Sequence, residues 1–224
     1  MASALAGHRA RTPAPPRRAR ALRAVDEGRQ AVASRGDRGL LEAPLRSLSL
    51  RDRTMAGHST SVARYARELA VAAGASWDEQ QAAHTVGLLH DIGKVILPDS
   101  ILHAERELSE QDWELVRRHP AAGAEIVGRV PGHEEVAGAI LRHHERVDGT
   151  GYPDGLSGDD IPWISRVISV ADTYDVMTAR DSYNRPKPVA AAVAELQRVA
   201  GSQLDAQLVG TFVDLRLDRR LAVC

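Results

Sequence analysis

Five separate helical patterns in this 224-residue chain each carry a histidine or an aspartate on the apolar side. Val62, Tyr65, Leu69 and Ala73 recur at helical spacing, and His58 lies on the same stripe, four residues before Val62. His90 and Asp91 end a helix that carries Val86 and Leu89. His119 follows Val116 by three residues, His143 and His144 follow Ile140 by three and four, and Asp172 follows Ile168 by four. An unpaired buried polar group costs about 1–3 kcal/mol. A single such histidine is ordinarily a satisfied core residue. Five helices aiming polar groups inward together imply a shared partner at the centre.

The same periodicity sets the fold class. Ser76 with Glu79, and Ser109 with Asp112, have the spacing of helix-starting capping boxes. Gly74 ends the first clear helix, and His119-Pro120 is expected to bend or restart another. Helical patterns also cover residues 133–146, 161–179, 188–200 and 205–218, whereas residues 147–160 are turn chemistry throughout. No stretch alternates with period two. The expectation is an all-α bundle of about six to eight helices with one irregular loop.

Charge divides the chain at about residue 50. Residues 1–50 contain ten Arg and four acids, and the remainder contains nineteen Lys and Arg against twenty-six acids. The reading is a basic, solvated leader or linker over 1–50 and a folded, acidic domain over 51–218. No apolar run is long enough for a membrane span. No apolar segment follows the early arginines as a secretory signal would require. Cys224 is the only cysteine, so an internal disulfide and a thiolate metal site are excluded, and a reducing cytoplasmic setting is expected. The leader has no aromatic residue to stack on bases, which speaks against nucleic-acid binding.

Imidazole and carboxylate together are ligands for Fe, Mn, Zn, Ni or Co. The seven groups His58, His90, Asp91, His119, His143, His144 and Asp172 exceed what one zinc ion takes and suit two divalent metals. Neighbours on a helix differ by about 100°, so His143 and His144 could serve different metals, and Asp91 is the best-placed bridge. Two metals about 3.5–4 Å apart form a clamp for in-line displacement at phosphorus. Phosphodiester hydrolysis is the reaction such a centre suggests.

The motifs, in order, are His90-Asp91-Ile92-Gly93-Lys94, Arg118-His119-Pro120, His143-His144-Glu145, Gly149-Thr150-Gly151-Tyr152-Pro153-Asp154-Gly155 and Val170-Ala171-Asp172. This series resembles the HD-GYP family, a branch of the HD-domain phosphohydrolases that hydrolyses cyclic di-GMP in bacteria, and covers about residues 50–215. The resemblance implies an HD-domain helical bundle, a metal centre of iron or manganese, and a product of linear pGpG or GMP. It carries the ligand role to the seven residues above and catalytic roles to Asp91 and Lys94, with Lys94 also contacting a substrate phosphate. It gives Gly151, Tyr152 and Pro153 a place at the pocket mouth and a link to docking of diguanylate cyclases (GGDEF proteins). It makes Asp175 a carboxylate that supports a ligand from behind.

Two departures qualify the resemblance. Thr54 stands where three-metal members carry a Glu, so two metals are expected. After the last ligand, Asp181 and Asn184 stand where basic residues hold phosphates, leaving Arg180 and Arg185, each one residue away, as substitutes. Alternatives are an HD phosphohydrolase for another nucleotide, cyclic or not, and a non-catalytic docking module for diguanylate cyclases. His8, His84, His103 and His133 are left out of the centre. Trp77, Trp113 and Trp163 are read as packing anchors rather than base-stacking platforms.

Overall fold

The computed structural model describes residue 46 and residues 50–179 and 186–221, the side chains at 53, 54 and 217–221 aside. The remainder of the leader, the Thr54 side chain, and Arg180, Asp181, Asn184 and Arg185 lie outside the described residues.

The described residues form helices α1 (Arg53–Ala72), α2 (Trp77–Leu89), α3 (Asp99–Leu102), α4 (Glu110–Val116), α5 (His119–Gly128), α6 (Glu134–Leu141), α7 (Trp163–Thr178), α8 (Val189–Val199) and α9 (Ala206–Leu221). Short 3₁₀ turns cover Ile92–Ile96 and Gly158–Asp160. Among these residues there is no strand beyond two isolated bridges. Eight of the helices have seven or more residues, in agreement with the all-α expectation.

Local chemistry fixes the helix ends. Ser76 and Glu79 exchange both bonds of a capping box at α2, and Ser109 and Asp112 do the same at α4. The chain restarts at His119-Pro120, where proline sits in the first turn of α5 and its missing N–H costs nothing. Helix α1 packs against α2 and α7, and α5 packs against α6. The core between them holds Leu69, Val86, Ile140, Ile168, Leu196 and Phe212, all fully buried. Each contributes about 1.5–3 kcal/mol of transfer free energy. Tyr65, Tyr174 and Phe212 meet edge to face, with the Arg216 guanidinium over Tyr65 and Phe212 and paired to Glu68. This ties α9 to α1 and α7.

Candidate metal centre

Four elements converge on one buried point. His58 comes from α1, His90 and Asp91 from the end of α2, His119 from the first residue of α5, and Asp172 from the middle of α7. Helix α6 stops at Leu141, so His143 and His144 lie in the turn beyond it and not on a helix. Partners from α7 account for that stop. Ser165 Oγ donates to Ala139 O and Ser169 Oγ donates to His143 O, at 2.9 and 2.7 Å, serving carbonyls that a continuing helix would have used.

The expectation that His143 and His144 face different metals is corrected by this turn. Their ring centroids are 4.0 Å apart, and both fall with His119 in one group of three ligand atoms within 4.8 Å of one another. His58, His90 and Asp172 make the other such group. Asp91 lies between the two groups. Its Oδ1 is 3.3 Å from His119 Nε2, and its Oδ2 is 3.4 Å from His90 Nε2 and 3.8 Å from His58 Nε2. One carboxylate thus offers one oxygen to each group.

The histidine tautomers test whether cations fit. His90, His119 and His143 each donate Nδ1–H to the carbonyl three residues back, at Gly87, Val116 and Ile140, over 2.9, 2.6 and 2.6 Å. That leaves each Nε2 with a lone pair. All three Nε2 atoms are buried without a well-formed hydrogen bond. For His90 and His119 the lone pair faces an oxygen of Asp91. Two acceptors in apolar surroundings repel each other, and a cation between them reverses the sign. The donor set, all imidazole and carboxylate, is one that first-row divalent metals accept.

Electrostatics agree. Burial pushes His144 down to about 4 and holds His143 well below its ordinary value, with neighbouring imidazoles adding to both shifts. Both rings are therefore neutral and ligand-competent near pH 7. Burial disfavours charge on Asp91, but the Lys94 ammonium, its Nζ 2.7 Å from Oδ2, holds the carboxyl well below its usual range. His58 donates Nδ1–H to Asp175 Oδ2 at 2.8 Å, which turns its Nε2 toward Asp172 Oδ1 at 3.3 Å.

A family model described as the HD domain matches residues 42–208. The chain belongs to the HD domain family. The HD-GYP resemblance also holds among curated relatives. The chain is 36% identical over 165 residues to a 3′3′-cGAMP-specific phosphodiesterase of Vibrio cholerae, covering 73% of this chain and 32% of that protein. It is 33% identical over 175 residues to the cyclic di-GMP phosphodiesterase response regulator RpfG of Xanthomonas campestris, covering 77% and 46% respectively. The chain thus spans less than half the length of these relatives. The crystal structure of a cyclic GMP-AMP specific phosphodiesterase from V. cholerae has the same fold, with a TM-score of 0.60 at 20% identity over 79% of this chain and 49% of that one.

The HD-domain centre continues into the loop after His144. Tyr152 stacks on His144, with centroids 4.9 Å apart and planes at 26°, and the Tyr152–Pro153 peptide is cis. Pro153 is exposed. Gly151 is pressed so closely against the chain before it that an added Cβ would lie 2.4 Å from Arg146 N. Glu145, a motif residue without an assigned role in the sequence analysis, anchors the loop. Its buried carboxylate accepts from the N–H groups of Asp154, Gly155 and Leu156, at 2.7, 3.1 and 3.1 Å. Its place directly after a histidine pair is the only sequence signal it carries. His84, His103 and His133 belong to neither ligand group. No helix among the described residues is long and apolar enough to cross a membrane.

Proposed function

We propose that this domain is a metal-dependent phosphodiesterase that opens a 3′3′-linked cyclic dinucleotide, with cyclic di-GMP as the leading substrate and pGpG or GMP as product. The observation that carries the reading is the position of Asp91, one oxygen 3.3 Å from His119 of the first group and the other 3.4 and 3.8 Å from His90 and His58 of the second. Divalent ions held by these groups, iron or manganese first, would supply the Lewis-acid charge that phosphoryl transfer to water requires.

The chain's own residues do the rest. Burial and the Tyr152 stack seat His144, and Glu145 holds the loop that carries Tyr152. Lys94, beside Asp91, offers an ammonium to a non-bridging phosphate oxygen. The chain contains only two lysines among its basic residues, and both border the centre: Lys94 lines a cavity on one side and Lys187 a cavity on the other. Lys187 is a cation that the sequence reading did not single out.

A second reading, an enzyme for 3′3′-cGAMP, is favoured by the 36% identity to a relative of that specificity. Docking of a diguanylate cyclase through Gly151, Tyr152 and Pro153 has less behind it, because the Tyr152 ring is turned onto His144.

The test is anaerobic reconstitution with Fe(II) or Mn(II), a metal count per chain, and chromatography of cyclic di-GMP and 3′3′-cGAMP digests. About two metals per chain and a linear product, both lost or strongly reduced in Asp91→Ala, are expected. Metal binding without turnover of either dinucleotide would refute the substrate. A chain that takes up no metal would refute the centre.

A further inference from the structure

The candidate centre is a partition between two cavities, of about 1000 and 600 Å³. His143, His144 and Asp172 line the larger, and His58 and Asp91 line the smaller. Among the described residues two line both, Trp113 of α4 and Val176 of α7.

Trp113 does not behave as a packing residue. The residue is 44% exposed, and α4 contributes no buried residue of its own. Trp163, by contrast, packs against the core. The packing expectation therefore holds for Trp163 and is corrected for Trp77, which is 42% exposed, and for Trp113. Exposure alone says little, but this indole lines both cavities. The α4 segment is nevertheless well fixed: its start is closed by the Ser109–Asp112 capping box, and Arg106 pairs with Asp112 at 2.6 Å. The indole is thus held beside both cavities on a pinned helix, six residues before His119.

We infer that Trp113 is a base-stacking residue, the wall against which a nucleobase of the substrate lies while the phosphodiester occupies the centre. This rests on the cyclic-dinucleotide reading above. Every phosphodiester in a cyclic dinucleotide has a nucleoside on its 3′ side and another on its 5′ side. With a phosphate at the partition, a nucleoside that enters either cavity meets Trp113, which lines both. Stacking on an aromatic face is tolerant of base identity, because every base has a π-face. Trp113 accordingly supplies affinity for cyclic di-GMP and 3′3′-cGAMP alike.

The test uses the full metal-loaded chain and the bis-phosphorothioate of cyclic di-GMP, which resists cleavage. Removing one base–aromatic stack weakens binding about five- to hundredfold, so Trp113→Ala should lose affinity on that scale and Trp113→Phe should recover most of it. Metal per chain should stay constant in both, which separates a lost contact from a damaged fold. In a chain carrying Trp77→Phe and Trp163→Phe, the remaining emission reports Trp113 alone and should be quenched on binding. A Trp113→Ala variant that binds within twofold of the parent, or emission that does not move, overturns the inference and leaves the cyclic-dinucleotide reading standing. A parent chain that binds and cleaves no cyclic dinucleotide, yet hydrolyses bis(p-nitrophenyl) phosphate in an Asp91-dependent way, overturns both the substrate and the role of Trp113 while keeping the phosphodiesterase centre.

Discussion

His58 is held from both ends by one helix: Asp175 accepts its Nδ1–H at 2.8 Å, and Asp172, one turn earlier on α7, stands 3.3 Å from its Nε2. A carboxylate behind a histidine fixes its tautomer and raises its basicity, and removing such a partner typically costs 10- to 100-fold in metal affinity. Asp175→Asn is therefore expected to weaken metal binding on that scale with the helical content unchanged. Competition titration with a chromophoric chelator measures it. Parent-like affinity in the variant would reduce Asp175 to a structural ion-pair partner.

The same pair makes the metal-free protein sensitive to alkali. Burial disfavours charge on His58, but its hydrogen bonds to Asp172 and Asp175 outweigh that and raise it from 6.5 to about 10. A raised folded-state pKa gives stability that is complete below the unfolded value and lost as pH rises through the folded one. His144, lowered to about 4 mainly by burial, has the opposite sign: its contribution is present above pH 6.5 and lost as pH falls toward 4. Urea midpoints of the chelator-treated chain should peak near neutrality and fall toward both pH 4.5 and pH 9.5. The alkaline fall should be shallower in Asp175→Asn. A flat alkaline limb in the parent would show that His58 is not held as an imidazolium.

Glu145 carries a prediction about the loop alone. Three backbone N–H groups converge on its buried carboxylate. Replacement by Ala strands these donors, each worth about 1 kcal/mol as a hydrogen bond and more if left buried and unmet. Amides of residues 154–156 should lose hydrogen-exchange protection first, and affinity for cyclic di-GMP should fall with Tyr152 no longer fixed over His144. Metal content should change less than in Asp175→Asn. Unaltered exchange at 154–156 would remove Glu145 from the anchoring role.

What the sequence revealed and what it hid divide along sequence separation. The helical stripes with His58, His90 and Asp172, the restart at His119-Pro120 and both capping boxes were legible because their causes lie within about four residues. The end of α6 at Leu141 was not, since Ser165 and Ser169, which serve a carbonyl in its last turn and one in the turn beyond, lie 26 residues away from Ala139 and His143. Extending that helix on periodicity alone sent His143 and His144 in different directions. The loop anchor at Glu145 was hidden in the same way, its acceptors' partners lying 9 to 11 residues on. Trp113 was misread because an indole at helical spacing is the same in sequence whether its helix faces a core or a cavity.

Gly93 is where the motif's backbone geometry can be tested directly. An added Cβ there would lie 1.9 Å from His119 O and 2.5 Å from Gly123 N. Both are backbone atoms of α5, so neither can swing aside as a side chain would. Gly93→Ala must push the Ile92–Ile96 turn away from α5, and Asp91 and Lys94, which flank it, move with it. Forcing a methyl into close-packed surroundings costs about 1–3 kcal/mol, and the spacing between Asp91 and His119 should open enough to lose bound metal. Gly210→Ala is the control: it sits in α9 with nothing within 4 Å of the added Cβ, and the better helix propensity of alanine should stabilise it by up to about 1 kcal/mol. Thermal melts and metal counts on the two variants decide the matter. A Gly93→Ala chain that melts with the parent and keeps its metal would mean that the turn and α5 can separate without disturbing the centre.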